Sequence, residues 1–336
     1  MKPLHVLITA ASRRVPLVQA FQRALRSSGR PGRVIATDVN PLSPAVHFAD
    51  RAYRVPLATD PDYVDELLAI CDAEHIRLVV PTIDDELAIM GAARTRFSQR
   101  GVLVACSAES TALLCNDKYA TCRFLSERGV AAASSWLPHE LTDDLQPPLF
   151  IKPRVGRGGV GAFPVRNRRE LEFFLEYVHE PVVQEFLAGP EFTVDVLCDF
   201  QGRPVSIVPR ERAVIRAGVI DRGRTVKLPS LIALAEAACR ELQFAGPLNI
   251  QCRMRGDQPV IFEINPRFSG GIPLTIAAGA DFPRMLLTMA TGGRVEPAIG
   301  AFREHLWMTS YESSLFLEPV RIALPTLSEM TAAEVA

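Results

Sequence analysis

The sequence has few cysteines and histidines, and neither residue type is grouped. Seven cysteines are spread over 336 residues without a Cys-x-x-Cys pair, and the six histidines show no metal-ligand spacing. These patterns argue against a zinc site and against a disulfide framework. They favour a reducing compartment, the cytosol, in which the cysteines serve as small core residues. A catalytic thiol is the minority interpretation.

The sequence also lacks an excess of charge and a long hydrophobic run. Its formal net charge is −1, whereas a dedicated nucleic-acid or membrane-surface binder usually needs a basic excess. No apolar run approaches the roughly 20 residues that span a membrane, and Arg13-Arg14 ends the N-terminal apolar segment too early for a signal peptide. We therefore expect a globular cytoplasmic protein of two or three lobes, without nucleic-acid or membrane partners.

The glycine fingerprint of a dinucleotide site is missing from residues 1–112. Strand-like and helix-like segments alternate there, which predicts a parallel sheet with crossover helices. The first turn, TAASRR at residues 9–14, contains no glycine, so we do not expect a dinucleotide site. Loops at the carboxyl ends of such strands still form crevices, and contact with a substrate and simple solvation are both open for Arg13, Arg14, Asp38, Asp84 and Asp85.

Residues 249–271 predict two strands joined by a turn, and the second strand ends in polar side chains. Glu263 and Asn265 face the same side because side chains alternate along a strand. Carboxylate and amide oxygens of this kind are ligands of hard cations such as Mg²⁺. Gln251 on the preceding strand could add a third oxygen, and Arg267 lies just beyond. The alternative is an ordinary solvent-facing strand. It is the favoured interpretation if the short motif of Glu263 and Asn265 is taken alone.

Two lysines and a glycine-rich segment suggest phosphate binding. Lys118 lies in the first turn of a helix predicted to begin with Asn116 as its N-cap, where the helix dipole disfavours a cation. Lys152 ends a short apolar strand. The following glycines could fold their amide groups around a phosphate, and because a strand rather than a helix comes next, we predict a hairpin flap over a nucleotide. A flexible surface turn is the alternative for these glycines, which are Gly156, Gly158, Gly159 and Gly161.

A strand–turn–strand segment covers residues 181–196. The backbone of Glu185 to Leu187 could pair with the edge of an adenine, and Glu191 could accept hydrogen bonds from ribose hydroxyls. Arg210 and Arg212 follow on the next strand. Close arginines can clamp a phosphate or a carboxylate, although solvation is the default for either one alone.

In chain order these motifs resemble the ATP-grasp superfamily, and especially stand-alone proteins similar to one ATP-grasp half of the carbamoyl-phosphate synthase large subunit. The run EFLAGPEFTVDVL at residues 185–197 also resembles D-alanine–D-alanine ligases. The likeness covers roughly residues 1–312. It is carried by Asn116-Asp117-Lys118, Ile151-Lys152-Pro153 with the glycines, Gln184-Glu185-Phe186-Leu187 with Glu191, Gln251, and Glu263-Ile264-Asn265-Pro266-Arg267.

The resemblance implies an α/β fold of the α+β ATP-grasp type, in which a Rossmann-like parallel-sheet domain precedes a two-lobed ATP-grasp domain. We expect the Rossmann-like domain at residues 1–112 and a small lobe with the flap at residues 113–187. The large lobe with the metal site is expected at residues 188–317. The tail, residues 318–336, is weakly specified and expected to fray.

The resemblance also implies a role for each motif residue. Mg²⁺, for which Mn²⁺ could substitute, would be carried by Gln251, Glu263 and Asn265. Many ATP-grasp ligases have an acid at the position of Gln251, whereas the synthase branch has glutamine there. The glutamine could still weaken one of two metal sites. The catalytic residues would be Lys152, Arg267, Arg210 and Arg212. The residues that would bind ATP are Lys118, Lys152, Gly156, Gly158, Gly159, Gly161, Gln184, Glu185, Phe186, Leu187 and Glu191.

The activity implied by the resemblance is an ADP-forming ligase that acts through an acyl phosphate. It would form an amide or peptide bond on a small carboxylate or amino-acid substrate. No side-chain nucleophile is needed, in keeping with the absence of a Ser-His or Cys-His arrangement. A homodimer is an option, since many members of the superfamily pair. Because only one half of the synthase is resembled, complete carbamoyl phosphate synthesis is not expected. Other ATP-grasp chemistry (bicarbonate activation or carboxylate phosphorylation), a non-catalytic ATP-binding accessory protein and, least favoured, a dehydrogenase stay open.

Overall fold

The computed structural model describes residues 3–156, 158–216, 218–318, 322 and 324–330, and its first lobe is built on a five-stranded parallel sheet. The strand order is β3-β2-β1-β4-β5. This confirms the predicted parallel sheet. The strands are β1 His5–Ile8, β2 Val34–Asp38, β3 Arg51–Arg54, β4 Ile76–Val80 and β5 Leu103–Val104, and the helices are α1 Val15–Ser27, α2 Tyr63–Ala73 and α3 Asp84–Ser98.

Loops at the carboxyl ends of β1 and β4 are held together by buried hydrogen bonds. The Thr82 hydroxyl donates to the carbonyl oxygens of Thr9 and Ala10, at 3.0 and 2.9 Å. Glu86, which is fully buried, accepts from the Thr82 amide at 2.7 Å. Ala10 and Ser12 have φ angles of 46° and 45°, in the left-handed region that non-glycine residues rarely adopt. These bonds hold a strained loop at the point where the strand order reverses.

The second sheet has four antiparallel strands and contains the predicted flap hairpin. Its order is β6-β9-β7-β8, and the glycine-rich segment joins β7 to β8, with which β7 pairs antiparallel. One flap residue, Arg157, lies outside the described residues. The strands of this flap sheet are β6 Ser135–Trp136, β7 Leu149–Pro153, β8 Phe163–Val165 and β9 Pro181–Glu185, and the helices that accompany it in the chain are α4 Glu109–Asn116, α5 Lys118–Glu127 and α6 Arg168–Tyr177.

The third sheet, called the large sheet below, has six antiparallel strands. Their order is β14-β13-β10-β11-β12-β15. Alternate residues such as Val194 and Ile250 enter a core with α5 and α7, while their neighbours Thr193 and Gln251 line a cleft. The strands are β10 Glu191–Cys198, β11 Pro204–Arg216, β12 Val219–Thr225, β13 Gly246–Arg255, β14 Gln258–Asn265 and β15 Trp307–Thr309, and the helices are α7 Pro229–Glu241, α8 Ile272–Ala277 and α9 Phe282–Ala290.

The helix around Lys118 differs from the prediction in its start and in its packing. Asn116 is the last residue of α4, so its prediction as the N-cap is wrong. Asp117 is the N-cap of α5, and its Oδ1 accepts from the Ala120 amide at 3.0 Å. In this helix, which we predicted to belong to the small lobe, Cys122 and Leu125 pack in the core beneath the large sheet. The apolar stripe of α5 therefore faces β14.

Part of the C-terminal tail docks on the first lobe, so the expected fraying is wrong for residues 324–330. The Arg54 amide donates to the Pro325 carbonyl oxygen at 2.8 Å. Leu327 and Met330 pack against the core between α2, α3 and the parallel sheet. We did not predict these apolar contacts, because the segment has no helical or strand-like periodicity. The remaining tail residues from 319 onward lie outside the described residues, Ile322 excepted.

No helix within the described ranges is both long enough and apolar enough to cross a membrane.

The cap of α5 can be tested by mutation. We expect Asp117→Ala to lower the free energy of unfolding by about 1–2 kcal/mol, because it removes the N-cap acceptor together with the ion pair to Arg154 at 2.5 Å. Asp117→Asn keeps an acceptor and should lose less than half as much. Urea unfolding followed by circular dichroism measures both. Equal losses in the two variants would show that the ion pair, and not the cap, provides the stability.

Candidate active site

The three sheets surround a cavity of about 1480 Å³. Its walls are the loops of the first lobe, the glycine-rich flap, the β9–β10 connection and the polar face of the large sheet. All the predicted site residues line this cavity except Gly161 and Asn265. Asn265 lines a small adjoining pocket of about 10 Å³, which it shares with Lys118, Asp84 and Glu263. The structure thus brings together motifs that are up to about 150 residues apart in the sequence.

Two buried lysines lie between the flap and the large sheet. The Lys118 ammonium donates to the Gly156 carbonyl oxygen in the flap at 2.7 Å. The Lys152 ammonium donates to the Phe262 carbonyl oxygen on β14 at 3.2 Å and lies 5.0 Å from the centre of its ring. Burial lowers the pKa of Lys152, and the nearby Glu263 carboxylate opposes that shift. Each ammonium therefore contacts a neutral carbonyl oxygen and keeps donors for a further anion.

The predicted metal ligands form an oxygen cluster, Gln251, Glu263 and Asn265, at the end of the β13–β14 hairpin. Gln251 lies opposite Glu263 in the strand register. The Asn265 amide nitrogen donates to Glu263 Oε1 at 3.1 Å, and Asn265 Oδ1 accepts from Arg267 at 3.1 Å. Within the described residues no three His, Cys, Asp or Glu side chains form a metal-binding group. One carboxylate and two amide oxygens nevertheless fit a hard cation such as Mg²⁺, which binds oxygen ligands and retains waters.

Arg210 is a fully buried cation on β11. It makes a bidentate pair with Asp195 at 2.7 and 3.1 Å and donates to the Ser269 hydroxyl at 2.9 Å. Among the described residues its Nη1 has no hydrogen-bond partner. A Cβ at Gly271 would lie 2.4 Å from this nitrogen, so a side chain there would displace the guanidinium. A buried donor without a partner costs about 1–3 kcal/mol, and a ligand oxygen would offset that cost.

Glu191 is the centre of a second charged group. Its Oε1 accepts from Arg212 at 2.6 Å, and its Oε2 accepts from Arg253 at 2.5 Å. The Nε of Arg212 is buried and has no partner in the described part of the chain. Sequence reasoning missed Arg253, since it looks like an ordinary polar residue of a hairpin. Only the pairing of β10 with β13, which places Arg253 opposite Glu191, could have indicated that Arg253 belongs to the site.

The segment expected to hold adenine lines the cavity at the end of β9. The Glu185 amide donates to the Ser134 carbonyl oxygen at 3.0 Å, so this donor already has a partner. Gln184 is buried and donates to the Ser135 hydroxyl at 2.9 Å. Phe186 is partly exposed, and the Leu187 carbonyl oxygen accepts from Arg253 at 3.2 Å. The roles predicted for these residues stay predictions.

An ion pair joins the first lobe to the oxygen cluster. Arg267 donates to Asp84 at the start of α3 at 2.8 Å, using the same nitrogen that contacts Asn265. Both side chains are mostly buried. Asp84 was one of several loop residues with no assigned role, and its partner lies 183 residues away.

Two family models match the chain in separate segments. Residues 6–105 match the model described as "PylC-like, N-terminal domain". Residues 178–313 match the model described as "ATP-grasp in the biosynthetic pathway with Ter operon".

The carbamoyl phosphate synthase large chain of Thermus thermophilus is 26% identical over 294 residues, which are 80% of this chain and 28% of that protein. The arginine-specific large chain of Bacillus subtilis is 22% identical over 69% of this chain and 24% of that protein. The chain thus spans about a quarter of the length of these curated relatives.

Solved structures with the same fold agree with these matches. The biotin carboxylase domain of 2-oxoglutarate carboxylase from Hydrogenobacter thermophilus has a TM-score of 0.69 at 17% identity, covering 90% of this chain and 73% of that one. The L-amino acid ligase of Bacillus licheniformis has a TM-score of 0.67 at 19% identity, covering 88% and 77%. At such identities the likeness shows the fold alone. Together with the family models it confirms the expected fold class and the resemblance to the ATP-grasp superfamily.

The buried ammonium of Lys152 should destabilise the protein when no anion is bound. We expect Lys152→Met to raise the free energy of unfolding at neutral pH by about 1 kcal/mol, because desolvation of the charge is removed. Since the folded state lowers the pKa of Lys152, the charged lysine opposes folding below that pKa. The advantage of Met should shrink as the pH rises through it.

Denaturant unfolding at several pH values measures this difference. The exposed Lys227 supplies the control, and Lys227→Met should leave the unfolding midpoint and its pH dependence unchanged. A loss of stability in Lys152→Met at neutral pH would contradict the argument.

Proposed function

Because the chain has the ATP-grasp fold, we propose that it is an ATP- and Mg²⁺-dependent ligase. It joins a small carboxylate to an amine through an acyl-phosphate intermediate and releases ADP and phosphate. The observation that carries the proposal is a convergence on one cavity and the small pocket beside it. Two buried lysines, an oxygen cluster and two guanidinium donors without a hydrogen-bond partner among the described residues meet there. This set supplies what phosphoryl transfer needs, namely positioned positive charge and a metal site.

The nucleotide would lie between the flap sheet and the large sheet. Lys118 and Lys152 would bind its phosphates, under a flap formed by the glycines from Gly156 to Gly161. The contact of Lys118 with the Gly156 carbonyl oxygen supports this, since it links a phosphate-binding cation to the flap itself. We assign adenine to residues 184–187 and the ribose to Glu191, which would share its oxygens with Arg212 and Arg253.

Gln251, Glu263 and Asn265 would hold Mg²⁺, with Mn²⁺ as a substitute. The bound ion supplies Lewis-acid stabilisation of the charge on the phosphate oxygens. The arrangement of one acid and two amides supports a hard, oxygen-seeking cation and disfavours zinc. One solved structure with the same fold is described as a complex with MgADP and bicarbonate, which is in keeping with this assignment.

In the proposed reaction a substrate carboxylate attacks the γ-phosphate, and the bond from that phosphorus to the bridging oxygen of ADP breaks. Lys152 and Arg267 stabilise the transferring phosphoryl group. The unpaired Nη1 of Arg210 and Nε of Arg212 are donors for the oxyanions of the acyl phosphate. An amine then attacks the acyl carbon, phosphate leaves, and the amine loses a proton. The flap keeps water away from the reactive intermediate.

The proposal can be tested by measuring ADP and phosphate release from Mg-ATP in pools of amino acids, small carboxylates and amines, with mass spectrometry of the products. We expect release that needs two substrates, together with a condensed product of matching mass. Release that needs bicarbonate alone, or a phosphorylated carboxylate as the final product, would favour the other ATP-grasp chemistries. ATP binding without release in every pool would favour an accessory protein.

The metal assignment predicts the effect of one substitution. We expect Glu263→Ala to lower ATP turnover by at least about 100-fold, because it removes the only carboxylate of the oxygen cluster. The unfolding midpoint should stay close to that of the wild type. Asp257→Ala is a matched control, since Asp257 is exposed in the turn of the same hairpin, and it should keep full activity. Full ADP production by Glu263→Ala would contradict the assignment.

A further inference from the structure

The crevice of the first lobe opens into the active-site cavity at the point where the strand order of the parallel sheet reverses. β1 lies between β2 and β4, and in open parallel sheets this switch point is the usual place for a ligand. Arg14 lies in the loop after β1, and Asp84 is the first residue of α3, directly behind the loop after β4. Both residues line the cavity. The roles proposed above for the flap and the large sheet use neither of them.

Arg14 is held in this crevice without a carboxylate partner among the described residues. Its guanidinium donates to the Thr82 carbonyl oxygen at 3.2 Å, in the loop that carries Asp84. The left-handed backbone of Ala10 and Ser12 shapes the loop that presents Arg14. Strained backbone of this kind persists only where the surrounding structure enforces it, and it is concentrated at active sites and ligand-binding sites. Arg14 therefore keeps guanidinium donors for a ligand in the cavity.

Among the described residues, the charged groups that act on Arg14 are Arg267 and Asp84, and they leave one positive charge unmatched. Asp84 pairs with Arg267 at 2.8 Å, so two guanidinium groups and one carboxylate meet here. Burial, followed by the charge of Arg267, lowers the pKa of Arg14 to about 10, and Asp84 opposes the shift. Arg14 stays charged at neutral pH. A monoanion bound between the two guanidinium groups would balance the charge.

Resting on the ligase function proposed above, we propose that the substrate carboxylate binds between Arg14 and Arg267, with Asp84 as the positioning residue for Arg267. A guanidinium fork matches a carboxylate in shape and charge. Arg267 also contacts Asn265 of the oxygen cluster. A carboxylate held between Arg14 and Arg267 would therefore lie beside the phosphates of the proposed nucleotide. Val55, Leu57 and Tyr63 line the cavity on the side of the first lobe and would contact the carbon skeleton. The substrate class is therefore an organic monocarboxylate, and bicarbonate has no skeleton to fill this wall.

The test uses butyrate as a probe of the carboxylate site. Protein saturated with MgADP is titrated with butyrate, and binding is followed by ligand-detected NMR. We expect Arg14→Gln to weaken butyrate binding at least about tenfold, since charge-assisted hydrogen bonds are lost. Arg14→Lys, which keeps the charge but loses the fork, should recover part of the affinity. Arg23→Gln removes an exposed charge from α1 and should change the affinity less than twofold.

Two controls separate a binding role from a structural one. Arg14 donates to the Thr82 carbonyl oxygen, so its loss could disturb the loop. Affinity for MgADP within twofold and an unchanged unfolding midpoint would show that the site is intact. If Arg14→Gln fails these controls, Arg14→Lys is used in its place. The inference then requires that Arg14→Lys bind butyrate at least threefold more weakly than the wild type does.

The outcomes also distinguish this inference from the ligase proposal. Butyrate binding by the wild type that is equal in Arg14→Gln, or no binding by the wild type, would overturn the inference even if ATP-dependent ligation is found. Binding that depends on Arg14, without ligation in any substrate pool, would support the site and overturn the ligase proposal alone.

Discussion

The alternation of side chains along the strands of the large sheet is the constraint on which the rest of the structure depends. In β10, Val194 and Val196 face the core, whereas Thr193 and Asp195 face the other side. The same alternation separates Ile250 from Gln251 in β13. Because the period is two residues, a shift of one residue in register would exchange the core with the cavity wall. The apolar core under α5 and α7 therefore fixes the geometry of the charged face as well.

The charged face is costly, and its charges are arranged to reduce that cost. Asp195 neutralises the buried Arg210, and Glu191 neutralises Arg212 while sharing Arg253. Removing one partner of such a pair leaves a buried charge without compensation, which costs far more than the pair contributes. Two guanidinium donors that have no partner in the described part of the chain, and the buried Lys152, are exceptions to this neutralisation. Local rules that are broken inside one cavity are typical of sites that bind a ligand.

Much of the fold could be predicted from the sequence, because it depends on local patterns. The alternation of strands and helices in the first lobe, the hairpin that carries Glu263 and the hairpin around the flap all follow from periodicity and turn residues. The N-cap of α5 was misplaced by one residue, since Asn116 and Asp117 are both good caps and only the end of α4 decides between them. The docking of residues 324–330 could not be predicted, because that segment has no periodicity of its own.

The candidate site was predictable as a set of motifs but not as a network. The motif order led to Lys118, Lys152, Glu263 and Asn265, and all four lie at the cavity or at the small pocket beside it. The contacts that hold them depend on packing between lobes, which no local pattern encodes. The pair between Asp84 and Arg267 is the clearest case, because 183 residues separate the partners. This pair gives the first lobe a direct electrostatic contact with the oxygen cluster. A change in how the first lobe meets the large sheet must therefore alter the charges around the cluster, so the substrate site proposed in one lobe and the phosphoryl transfer proposed in the other would be physically coupled.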